Sequence, residues 1–140
     1  MKPMSIAIKV LLAGIASVSV MAHAQQADLG KLEYMSSCVA CHGVSGEGNG
    51  PYAAMVNTAV ANLTVLTKKN NGVFPYQRVY ESIDGRLPVK AHGPSDMPIW
   101  GATYLARDKV YYTENSPAVE VVVRSRILAL AEYISRLQVK

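Results

Sequence analysis

Cys38-Val39-Ala40-Cys41-His42 contains both cysteines of the chain and one of its three histidines. Two thiols three residues apart, followed at once by an imidazole, form the C-x-x-C-H pattern of covalent haem attachment. Each thiol can add to one haem vinyl group, giving two thioether bonds. The next residue, His42, is then held beneath the iron as its proximal ligand. Two other uses of these residues compete. A Cys38–Cys41 disulfide of the thioredoxin kind follows a β-strand, and no strand pattern precedes Cys38. A zinc site needs four ligands, and beyond the two thiols the candidates are His42 and His92. The pattern therefore points to one covalent haem c.

An iron held from one side needs a sixth ligand or keeps an open site. The candidates are Met35, Met55, Met97 and His92. Met35 precedes the motif on the same helix and cannot easily reach the opposite face. Met55 reads as packing. Met97 lies 55 residues beyond His42, in a loop stiffened by Pro94 and Pro98. That suits delivery of one side chain to a fixed place, so Met97 is expected as the distal ligand and His92 is its rival. A thioether favours reduced iron more than a second imidazole does.

The elements that must position these groups read as helical. Asp28 caps a helix running to Ser37, with Leu32 and Met35 on one face. Gly43, Gly46, Gly48, Gly50 and Pro51 make a loop. A short helix is expected from Tyr52 to about Ala61. Another starts near Pro75 and ends before Gly85, with Val79, Tyr80 and Ile83 at helical spacing. Three prolines and three glycines between Gly85 and Gly101 predict an extended loop. Ser116-Pro117 opens the clearest helix, striped by Val119, Val123, Ile127, Leu130, Ile134 and Leu137. No hairpin pattern occurs, so the expected class is all-α.

The chain has 140 residues, is 50% apolar and carries a net charge of +4. That length suits one domain. Lys68-Lys69 is the only adjacent basic pair, which gives no patch for nucleic acid. Residues 1–24 read as a signal peptide: Lys2 and Lys9, then an uncharged run from Val10 to Met21, then Ala22-His23-Ala24 as the cleavage site. Residues 25–140 are then the exported domain, with net charge +2. A periplasmic location follows from this reading, with no membrane anchor after cleavage.

Cys38-Val-Ala-Cys-His42, Gly43-Val-Ser-Gly-Glu-Gly-Asn-Gly-Pro51, Met97-Pro98 and Glu132-Tyr-Ile-Ser-Arg-Leu137 occur in that order. Together they resemble class I c-type cytochromes from about Asp28 to Gln138. The resemblance implies four to five helices around one haem, with the terminal helices crossing. Gly30 and Tyr34 would then meet Leu130 and Tyr133 or Ile134. It also implies that Pro51 lends its carbonyl to the His42 ring N–H. Residues 102–115 depart from the minimal pattern. Tyr104, Leu105, Val110, Tyr111 and Tyr112 make that insert too apolar for a purely solvated loop. It is expected to cover the haem edge, or else to form part of a docking surface.

A His42/Met97 haem has no open site for oxygen or peroxide, so one-electron transfer is the expected function. Trp100, Arg78 and Arg86 are candidates to bind the haem carboxylates. Asp96 reads as a turn residue. The expected partners are transient: a dehydrogenase, an oxidase or a membrane respiratory complex. The alternatives are a permanent cytochrome subunit of a larger oxidoreductase, or a haem-based ligand sensor if Met97 does not ligate. No nucleophile–base pair or phosphate loop suggests an enzyme with its own substrate.

Overall fold

A computed structural model describes residues 27–86, 97–112 and 116–139. The expected leader, His92, Pro94 and Asp96 lie outside the described residues. Among the described residues the protein is all-α, with six α-helices and no strand. They are α1 (Leu29–Ser37), α2 (Val39–His42), α3 (Leu66–Lys69), α4 (Tyr76–Asp84), α5 (Trp100–Asp108) and α6 (Pro117–Arg136).

Helix α1 begins where Asp28 accepts the Lys31 N–H at 3.0 Å, satisfying one of the free donors of the first turn. Its inward face is the Gly30/Tyr34 one that the crossing of the terminal helices implied, not the Leu32/Met35 one. Leu32 and Met35 are 59% and 41% exposed, and Gly30, Glu33 and Tyr34 are buried instead. The crossing with α6 explains the rotation. A Cβ on Gly30 would overlap the Ala129 carbonyl oxygen and come within 2.8 Å of the Tyr133 Cβ. Only glycine allows the two backbones this close. One turn on, the Tyr34 ring rests on the Tyr133 ring, with centroids 5.1 Å apart.

Helix α6 is the common wall of the fold, packing on α1, α4 and α5. The Ser116 side chain caps it and Pro117 occupies its first turn. Its stripe is buried as the spacing requires: Val119, Val123, Ile127, Leu130 and Ile134. Val79 and Ile83 from α4 and Tyr104 from α5 complete the core.

Two segments differ from expectation. Residues 52–61 form one 3₁₀ turn, Ala53–Met55, rather than a helix. Val56, Thr58 and Val60 are β-branched and resist continuation. The Leu63 N–H bonds the Gly46 carbonyl at 2.7 Å and draws the chain back over the glycine loop. The proline-rich loop also ends earlier than Gly101, because α5 starts at Trp100. The insert is split by burial. Tyr104 is wholly buried, whereas Val110 and Tyr111 are about four-fifths exposed.

Candidate functional site

Cys38 ends α1, where its N–H meets the Tyr34 carbonyl at 2.9 Å. The next turn is α2, and the His42 N–H returns to the Cys38 carbonyl at 2.9 Å. Cys38, Cys41 and His42 therefore share one helical turn at the end of α1. Both cysteines are free thiols; Cys38 is buried and Cys41 half-buried. Burial foremost, then the Glu33 charge, pushes the Cys38 thiol up to about 12, so it stays protonated at neutral pH.

The glycine loop caps this turn. Gly48, Gly50 and Tyr52 donate their N–H groups to the carbonyls of His42, Cys41 and Ala40 at 2.8, 3.0 and 2.9 Å. These are carbonyls that a helix end leaves without partners. From the core side, the Tyr34 hydroxyl donates to the Gly43 carbonyl at 2.6 Å.

His42 Nδ1 lies 3.1 Å from the Ala61 carbonyl oxygen. A carbonyl only accepts, so Nδ1 carries the hydrogen and Nε2 keeps its lone pair in the neutral ring. Burial lowers the His42 pKa, which favours that neutral ring, although the Ala61 bond works the other way. The second-neighbour carbonyl expected from Pro51 is thus supplied by Ala61. Pro51 is exposed at the apex of a turn whose neighbours, Gly50 and Tyr52, are tied to α2. The 61–63 segment, drawn in by Gly46, takes its place beside the ring.

Met97 is half-buried and packs against the core, whereas Met35 and Met55 are 41% and 75% exposed. Of the groups weighed for the haem carboxylates, Arg86 is held by Asp84 and by both oxygens of Glu120. Arg78 is exposed. Trp100 stacks on Tyr104 with centroids 5.8 Å apart.

A buried charged cluster lies beside the motif and has no counterpart in the sequence expectations. Glu33 (α1) and Asp108 (α5) are 6% and 3% exposed. Arg126 (α6) joins them, its Nη1 to Glu33 Oε1 and its Nε to Asp108 Oδ2 at 3.1 Å. Arg107 reaches both carboxylates at 3.5 and 3.4 Å from a side chain that is 46% exposed. Glu33 Oε2 is buried without a hydrogen-bond partner. One signal was available: Glu33 stands next to Tyr34 on the face opened by Gly30.

The donor set suits haem c: two free thiols on one turn, and a neutral imidazole oriented through its other nitrogen. Among the described residues, no group of three or more His, Cys, Asp and Glu side chains forms a metal site. Among them, too, no helix is long and apolar enough to cross a membrane. Comparison with protein-family models, curated proteins and solved structures finds no match to this chain.

Proposed function

We propose that the protein is a one-electron carrier of the class I cytochrome c kind, with one haem c. Cys38 and Cys41 would hold the group covalently, and His42 Nε2 and Met97 would ligate its iron. The haem, when bound, supplies a one-electron couple at its iron. The remaining work belongs to the chain. The Ala61 carbonyl fixes the His42 tautomer and ring orientation and raises the basicity of the free nitrogen. The Tyr34 bond to Gly43 holds the backbone immediately after the ligand. The loop bonds to Ala40, Cys41 and His42 keep the motif in one geometry, which suits a carrier that must change little on electron transfer.

The observation carrying this reading is the His42 Nδ1–Ala61 bond. It leaves a bare Nε2 on the residue that follows two free thiols. Export to an oxidising periplasm and transient docking to redox proteins belong to the same proposal.

The test is the optical spectrum of the purified full-length chain, oxidised and reduced, with its intact mass. Haem that survives denaturation, together with the weak methionine–iron band at the near-infrared edge, is the expected result. Met97→Ala should abolish that band and admit carbon monoxide to the reduced protein. A retained band with no carbon monoxide binding would remove Met97 from the ligand set. Absence of covalent haem after co-expression with a haem-attachment system would overturn the whole reading.

A further inference from the structure

We propose that Glu33 is a positioning charge that holds down the reduction potential of the group attached at Cys38, Cys41 and His42. This rests on the haem reading above and adds a control element to it.

The argument begins with charge balance in the buried cluster. Two carboxylates, each more than nine-tenths buried, share one firmly held guanidinium, that of Arg126. Arg107 contributes only long contacts from a side chain nearly half in solvent. The four charges balance two against two, but solvent screens Arg107, so the negative side is the less compensated in the cluster's interior. Glu33 Oε2 locates it, since this oxygen is buried and accepts no hydrogen bond. The wholly buried Tyr104 hydroxyl makes no bond to it.

Position makes that charge relevant. Glu33 precedes Cys38 by five residues on a continuous helical path, about 7.5 Å along the axis. Its field reaches the attachment cysteine, where it is the second cause, after burial, of the raised thiol pKa. At an effective dielectric of about 20, unit charges some 10–15 Å apart shift each other's equilibria roughly five- to fifteenfold. Reduction adds one electron, delivered by an external donor, to a centre facing a fixed negative charge. No bond and no proton need move. Glu33 therefore disfavours the reduced form.

The experiment is potentiometric titration of the haem-loaded full-length protein and its Glu33→Gln variant at neutral pH. Glu33→Gln keeps the shape and removes the charge. It should favour reduction about tenfold, raising the midpoint by about 59 mV, with the visible spectrum unchanged. Glu33→Asp keeps the charge and should stay near the parent. Asp108→Asn gives a second reading, because it frees Arg126 for Glu33; its midpoint should also rise. Midpoints within about 18 mV of the parent, a twofold change in the equilibrium, in both Glu33→Gln and Asp108→Asn, with haem attached, would overturn the inference alone. Failure to attach haem in the parent would overturn the function on which it rests.

Discussion

Tyr34 shows how one side chain can serve both core and site. Its ring lies on Tyr133 at the α1–α6 crossing, and its hydroxyl ends on the Gly43 carbonyl beside His42. Tyr34→Phe keeps the ring and strips a buried carbonyl of its donor. The expected cost is about 1–2 kcal/mol, read as a lower denaturant midpoint with an unchanged slope. At this scale the sequence was most legible where chemistry is contiguous. Cys38, Cys41 and His42 can be read in one glance because three reactive side chains stand together. The Ala61 carbonyl could not be found that way, because every residue has one and only the fold selects it. Glu33 was obscured by its own chemistry: a carboxylate is usually placed outside, and its partners Asp108 and Arg126 lie 75 and 93 positions away.

The elements were legible where a cap and a period agree. Asp28, Ser116 and the Val119-to-Ile134 stripe announced α1 and α6 in advance, and α4 followed from Val79 and Ile83. Helix α5 was hidden by Gly101, which reads as a loop residue. In the fold that glycine stands where a Cβ would overlap the Asp84 carboxylate, so it answers to packing between helices. The α4 end is joined to α6 by Arg86, which clamps Glu120. That clamp has a pH signature. The Arg86 hydrogen bond foremost lowers the Glu120 pKa from 4.5 to about 2. Between those values the unfolded chain binds the proton that the folded one refuses. The contribution is complete above about pH 4.5 and is lost as pH falls toward 2. Glu120 is 36% exposed, so screening limits it to about 1 kcal/mol or less. The melting temperature of Glu120→Gln should lie below the parent's at neutral pH and converge with it in acid, with a smaller gap in high salt.

Across the whole molecule, α1, α5 and α6 are held by apolar contacts and by the shared guanidinium of Arg126. Arg126→Ala would leave two carboxylates buried without their main counter-charge. Breaking such a pair costs about 3–5 kcal/mol when fully buried. Arg126 is 24% exposed, which favours the lower end, about 3 kcal/mol. Thermal unfolding should show a single transition at a clearly lower temperature. Arg124→Ala, on a side chain 66% exposed, should change it little.

The placement of α6 also sets an order in time. A ribosome makes the segment holding Cys38, Cys41 and His42 long before Ala129 and Tyr133, the residues on which α1 comes to rest. Among the described helices, α1, α4 and α5 each pack most closely on α6, the latest of them in chain order. Until α6 is in place, the core that α1, α4 and α5 share is incomplete. The turn of Cys38, Cys41 and His42 therefore follows a helix whose buried face is completed only by α6.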